Sequence, residues 1–442
     1  MVYRGYRFVS WLGHQARRRF TPAGWTIIIA LLAVVTTGVD TENTVAYQAF
    51  TPLFCLLLIS VCSTPRFRGR FLVERRLPRF GTVGNPFSYG VSLKNLGTRA
   101  QTGLVLWDDV VDPQPSFAEW HAVQRASERR VRSFRLGQSR ANPFKLAVLK
   151  EAAVPKLRPN ESVETSVELT PLRRGLIQFS GVTVGRSDPL GLFRAFTRIR
   201  QPQKVLILPK RYALPQTALP GTMKYQEGGV VLAANVGRSD EFVALRDYRR
   251  GDPLRHIHWR SWAKTGKPIV KEFEDEFFVR HALVLDTFTD DPRSDAFEEA
   301  VSVAASFACA IQTQESLLDL LFVGEAAYCF TAGRGLAHAD QMLEILASVR
   351  ACGDKQFETL QRLVLNHVPA VSGCICVLLA WDDARRGFVG KLRALGVPVL
   401  VLVVVEPGHR RGAESMPTRE APGDYYVLEA GRIEEGLAKL KS

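Results

Sequence analysis

The sequence lacks a disulfide or zinc-type cysteine pattern. Its 7 cysteines include no C-x2-C pair, which excludes zinc-ribbon and zinc-finger designs, and their odd number gives no disulfide framework. Cys374 and Cys376 form a lone C-x-C inside the apolar run GCICVLLA, where small buried side chains are expected rather than metal ligands. Also missing are the G-x-S-x-G elbow, the glycine-rich phosphate loop and H-E-x-x-H, so three common hydrolase and nucleotide-handling designs have no foothold. Acid is in deficit as well: 44 Asp and Glu face 58 Lys and Arg, a net charge of +14. A hydrophobic content of 46% excludes a disordered chain, and 442 residues suffice for two or three cores.

Where the positive charge lies determines what it implies. Two uncharged apolar runs stand near the start, Gly24 to Val39 and Val45 to Cys62, separated by Asp40 and Glu42. Arg4, Arg7, Arg17, Arg18 and Arg19 precede the first; Arg66, Arg68, Arg70, Arg75 and Arg76 follow the second. By hydropathy and the positive-inside rule, residues 1–63 are expected to form a two-helix transmembrane hairpin in the plasma membrane, with both termini and the soluble domains cytoplasmic. A second apolar run directly after the first argues against a cleaved signal peptide. Much of the basic charge is then assigned to topology and to the anionic leaflet, so nucleic acid is not expected as a partner.

Residues 64–211 change to period two. Phe87, Tyr89, Val91 and Leu93 alternate with small or polar residues, as do Val163, Thr165, Val167 and Leu169. LIQFSGVTVG reads as two short strands joined near Gly181. Turn signals between such runs predict a β-sandwich-like domain. A basic segment without that period, 117–150, reads as an insertion: a solvated surface or a contact for lipid head groups. Residues 212–280 hold a Pro/Gly-rich linker and a dense motif. From 281 to 442, continuous apolar strands (HALVLD, LDLLFVG, CICVLLA, VPVLVLVVV) alternate with amphipathic helices, which predicts a parallel sheet covered on both faces.

The motif is RDYRRGDPLRHIHWRSWAKTG, 246–266. Asp252 followed by Pro253 reads as a helix start and Gly266 as its end, giving a helix of about a dozen residues. Its bases can pair with the acids of KEFEDEF to lock a joint, or they can dock a partner; His258 as a general base, oriented by Asp247 or Asp252, is the catalytic alternative. The residues singled out are Arg246, Asp247, Tyr248, Gly251, Asp252, Arg255, His258, Trp259 and Lys264, and the first reading is a structural joint, the second a docking element.

RDYRRGDPLRHIHWRSWAKTGKPIVKEFEDE, with PLRRGLIQFSGVTVGRSDPLGLFRA and ILPKR upstream, resembles the bacterial "domain of unknown function 58" family over nearly the whole chain. The resemblance implies a membrane hairpin, a β domain, the signature motif and a C-terminal α/β domain of the von Willebrand factor A, Rossmann-type class. It also implies work beside a MoxR-type AAA+ ATPase and membrane-bound client proteins. A domain of that class holds a metal through D-x-S-x-S; here Asp286 is followed by Phe288 and Asp290 where serines belong. Asp286, Asp290 and Asp382, at strand ends, are the candidate Mg²⁺ ligands. The expected function is a membrane-anchored, non-catalytic adaptor in assembly or maturation of envelope protein complexes. The alternatives are a hydrolase centred on His258 and a lipid head-group binding module.

Overall fold

In the computed structural model the described residues are 16–37, 44–63, 67–111, 144–215, 242–273, 280–312, 317–332, 336–407 and 424–440, without 17, 68, 253 and 292 but with 117 and 121. Most of the basic segment 117–150, the linker from 216 on and the acids after Phe273 lie outside them. The chain divides into two compact units.

The first unit begins with two helices, α1 (Pro22–Thr37) and α2 (Thr44–Ser63). They correct the expected membrane hairpin. Among the described residues no helix is long and apolar enough to cross a membrane. α1 has 16 residues and reaches only about 24 Å, short of a hydrocarbon core of about 30 Å. α2 has 20, but Pro52 sits inside it and Gln48, Thr51 and Ser60 dilute its apolar character. Two of the arginines counted as topology signals are engaged elsewhere. Arg18 pairs with Asp109, and Arg75 lies in the interior of the β unit. Neither the two spans nor the plasma-membrane location with its cytoplasmic orientation therefore stands. α1 is instead seated on the β unit: the Thr21 hydroxyl donates to the Gly191 carbonyl at 2.5 Å, and Gly24 passes so close that a Cβ there would meet the Leu192 carbonyl oxygen at 2.2 Å.

Two sheets follow. One has the order β1 (Phe71–Arg76), β3 (Phe87–Asn95), β7 (Ser162–Pro171), β5 (Ala147–Leu149); the other runs β2 (Phe80–Thr82), β9 (Arg194–Leu208), β8 (Gly175–Ser187), β4 (Leu104–Val110), β6 (Ala152–Val154). Their alternating side chains meet in one core: Val91, Leu93 and Val167 from the first sheet, Leu106, Val182, Val184 and Ile207 from the second. The stretch around Gly181 is one 13-residue strand rather than two, with a register shift between Phe179 and Gly181. Glycine is required at that bulge because a Cβ would meet the Ile199 carbonyl oxygen at 2.2 Å.

An ion pair crosses this core. Arg75 of β1 lays its guanidinium on Asp108 of β4, Nε to Oδ2 at 2.8 Å, and both side chains are 0% exposed. Tyr89 donates to the same carboxylate at 2.5 Å, Arg75 Nη1 donates to the Gln201 carbonyl at 3.0 Å, and the guanidinium lies 4.5 Å from the Phe179 ring centre. Burial pushes the Asp108 carboxyl up from its ordinary value while Arg75 pulls it down; burial likewise raises the Tyr89 phenol.

The second unit carries a six-stranded sheet in the order β14 (Ala327–Ala332), β13 (Leu317–Val323), β12 (Arg280–Leu285), β15 (Gly373–Leu378), β16 (Val399–Val405), β17 (Tyr425–Glu429). All pairs are parallel except the edge pair β13–β14. The helix α4 (Asp295–Gln312) packs on it with Phe297, Val301, Ala304, Ala308 and Ile311 buried. A core of Phe357, Leu360, Phe388 and Leu392, from the segment around the helix Glu358–His367 and from the helix Asp383–Ala394, covers Val284, Cys376, Val401 and Val403. Cys374 and Cys376 belong to that core, their sulfurs 3.6 Å apart, and the thiol of Cys376 is pushed well up by its bond to Cys374 and by burial. A separate two-stranded ladder, β10 (Phe242–Asp247) with β11 (Ile269–Phe273), carries the motif.

Breaking one side of a buried pair leaves an uncompensated charge, so Arg75→Met should cost about 3–5 kcal/mol of stability. The double change Arg75→Met with Asp108→Leu should restore most of it, as read from urea unfolding of the full chain.

Candidate functional site

The motif is a hairpin whose connection is folded into helical turns. β10 and β11 pair antiparallel from Asp247 opposite Ile269 outward. Between them come a turn at Arg249–Asp252, a 3₁₀ turn Leu254–His256, and a helix, α3, Trp259–Thr265. The single helix starting at Asp252 is thus replaced by two shorter turns. The reason is that Asp252 is engaged: its carboxylate accepts both ends of the Arg246 fork at 2.7 and 2.9 Å and the Arg249 amide at 2.8 Å. Ile257 then bridges back to Val270, and both are buried beneath the connection. The His258 amide donates to the Ile269 carbonyl at 2.8 Å and makes His258 the residue before α3. Gly266 ends the helix in the left-handed region, φ 71°, where a Cβ is disfavoured.

The singled-out residues separate by role. Arg246 and Asp252 brace the turn, and Gly251 supplies its positive φ of 110°. The Tyr248 amide donates to the Pro268 carbonyl. Asp247 is exposed, and its carboxylate does not join the Arg246 pair. Trp259 stacks on Trp262, ring centres 5.2 Å apart at 18°, with Trp259 64% and Leu254 67% exposed. Arg249, Arg250, Arg255, Arg260, Lys264 and Lys267 belong to the same connection, exposed and without an ion pair among the described residues. The connection thus presents an indole pair, an exposed leucine and exposed positive charge within one short stretch.

His258 and Ser261 are in contact, Nδ1 to Oγ at 2.6 Å. The spacing is i, i+3 across the first turn of α3, the local geometry that lets a side chain at the helix start meet the next turn. A nucleophile–base pair needs a third group to orient the imidazole. Asp252, the carboxylate offered for that role in the sequence, is bound to Arg246.

The second candidate site is the crevice where the order of the α/β sheet reverses, between the ends of β12 and β15. Asp286 follows β12 and is 0% exposed; one oxygen accepts the Phe288 amide at 3.0 Å, the other the Leu379 amide at 3.0 Å. That second oxygen also accepts Arg385 Nε at 2.6 Å. Arg385, 7% exposed, turns its Nη1 to Asp382, and Asp382 caps the Arg385 amide at 2.9 Å. Burial lowers the affinity of this guanidinium for its proton, and Asp286 and Asp382 more than offset that, so its pKa ends raised. The structure therefore brings Asp286 and Asp382 together but through an arginine. Asp290 is exposed and groups with the other unit. Among the described residues no three His, Cys, Asp or Glu side chains gather as a metal site, and the donor set offered for Mg²⁺ does not fit one. Arg385 was not among the residues the sequence pointed to; its only signal is the i, i+3 spacing from Asp382 in WDDARRG.

A family model described as "Protein of unknown function DUF58" matches residues 244–397, which take in the motif and most of the α/β sheet. The "Uncharacterized protein YeaD" of Bacillus subtilis (strain 168) is 28% identical over 190 residues, 42% of this chain and 46% of that protein, so the match spans under half of the relative's length. Solved structures matched include the CARDB domain of the PF1109 protein from Pyrococcus furiosus (14% identity, 32% of this chain, 89% of that one, TM-score 0.18) and a PapD-like domain of human CEP192 (11%, 30%, 85%, TM-score 0.15). At those TM-scores neither carries an argument.

The Arg246 fork and the Arg249 amide hold the Asp252 carboxyl down to about 2, from 3.8. Its contribution to the turn is thus full above the unfolded value and lost as pH falls through the folded one. Carbon-detected NMR titration should give a midpoint near that value, and Arg246→Ala should move it back up towards 3.8.

Proposed function

This chain belongs to the DUF58 family of proteins of unknown function, and from that premise we propose that it is a non-catalytic adaptor whose docking element is the hairpin-borne motif. The observation that carries this reading is the stack of exposed Trp259 on half-buried Trp262, in a stretch whose exposed bases Arg249, Arg250, Arg255, Arg260, Lys264 and Lys267 make no ion pair among the described residues. Exposed tryptophan and arginine are the residue types on which protein interfaces concentrate their binding energy. A ladder fixes both ends of the element, so little conformational freedom is lost on docking. The complementary surface is one that offers carboxylates to the basic ring and an apolar slot to the indoles. A MoxR-type AAA+ ATPase is the proposed partner, on the strength of the motif's resemblance. Coupling that ATPase to client proteins in assembly or maturation of a larger complex is the proposed role.

A hydrolase reading has one observation in its favour, the 2.6 Å contact between His258 and Ser261. The adaptor reading is preferred because that contact is explained by helix geometry and, among the described residues, no carboxylate bonds to its imidazole.

Trp259→Ala with Trp262→Ala should weaken binding of the full chain to the purified ATPase by roughly 30-fold or more, the loss expected of an aromatic hot spot. Calorimetry reads it, and an unchanged affinity would remove the motif as the docking element. In the same preparation His258→Ala should leave any ester or peptide turnover where it was; a histidine-dependent rate would favour the enzyme instead.

A further inference from the structure

We propose that Arg385 is the resident cation of the α/β domain, holding the position that a divalent metal takes in domains of this class, so that this domain is built to work without one. The argument starts from the donor set. In D-x-S-x-S the two serines supply hydroxyl oxygens beside the first aspartate. Here Phe288 has no donor, and it packs edge-on against Phe357 with ring centres 5.8 Å apart. The first aspartate, Asp286, is fully buried, and both its oxygens are engaged: one by the Phe288 amide, the other by the Leu379 amide and by Arg385. A metal would have to displace Arg385 and leave its charge buried. The guanidinium also does what a metal would do mechanically. It ties the end of β12, through Asp286, to the loop after β15, through Asp382, and so cross-links the two central strands at the switch point. The Phe357 ring lies under it, 4.8 Å from the guanidinium carbon, closing off that side of the cation. A fixed fork has one geometry and no dissociation step. The crevice is therefore permanently charged, cross-linked and closed to metal-mediated capture of a partner's carboxylate.

Thermal unfolding of the full chain tests this. The wild-type Tm should be the same in millimolar Mg²⁺ or Mn²⁺ as in EDTA, and a Mn²⁺ titration read by EPR of the free ion should show no site. A site occupied at 100-fold excess over its Kd would instead raise Tm by about 5 °C or more. Arg385→Ala should lower Tm by roughly 6–15 °C, because it strands Asp286. Asp286→Asn with Arg385→Met should recover most of that loss, since both charges leave together. A metal-dependent Tm in the wild type, a neutral Arg385→Ala, or a double variant no better than the single would each overturn the proposal. If Arg385→Ala does not fold, the wild-type metal measurements still decide.

Discussion

Arg385 meets Asp286 at 2.6 Å where the two central strands of the α/β sheet end, and that contact fixes what the crevice there can be. Parallel sheets of this order place their binding sites at such a reversal because the helices on either side diverge and leave a gap. In this chain the gap is spanned from within. The helix Asp383–Ala394 starts at Asp382, which caps the Arg385 amide, so the arginine is aimed by the same residue it pairs with. The strand end, the loop after β15 and the helix start are set by one side chain. A site that needs loop adjustment to admit a ligand is hard to reconcile with that degree of constraint.

The same device recurs, which changes the meaning of the chain's net charge. Arg75 is buried on Asp108 between the two sheets of the β unit. Arg280 places its fork on Asp319 at 2.7 and 2.9 Å, with Thr331 donating to the same carboxylate. Arg246 does likewise with Asp252 at the motif turn. Arginine suits these places because its planar fork meets both carboxylate oxygens and keeps its charge when buried. A count of +14 treats all these groups as outward-facing; Arg75 and Arg385 are buried cross-links, and Arg246 and Arg280 are partly buried ones. In the motif, exposed bases share one short stretch with the stacked tryptophans, so charge and apolar surface coincide there.

Local periodicity was the legible part of the fold. Period two placed Tyr89, Val91, Leu93 and Val167 inward, and each is buried; the 3.6-residue period placed Phe297, Val301 and Ile311 on the covered face of their helix. Gly266 as a helix stop was legible because its cause, a left-handed backbone, is local. The illegible features are those decided by partners distant in the chain. Hydropathy could not show that Arg75 pairs with a residue 33 positions away. The Asp252–Pro253 helix start failed because a local capping signal lost its carboxylate to Arg246. Of the candidate site, the tryptophans and the bases could be read as a cluster, but not which bases stay unpaired. The guanidinium between Asp286 and Asp382 could not be read at all, since 99 positions separate Arg385 from Asp286.

These features divide the labour within the second unit. Recognition needs a surface that loses little on losing water and has groups still seeking partners. The crevice has neither: Asp286 is fully buried and its two oxygens are bound three times over. The hairpin differs, since its backbone is held by the ladder and by the bonds of Tyr248, His258 and Gly266, while Trp259 and most of its bases are exposed. Internal pairing was the alternative explanation for the basic motif; among the described residues it holds for Arg246, and Glu274, Asp275 and Glu276, three of the acids it calls on, lie outside them. On the proposed adaptor reading, the exposed bases would meet an external acidic surface, and the ladder that fixes both ends of the hairpin would make the position of that surface specific.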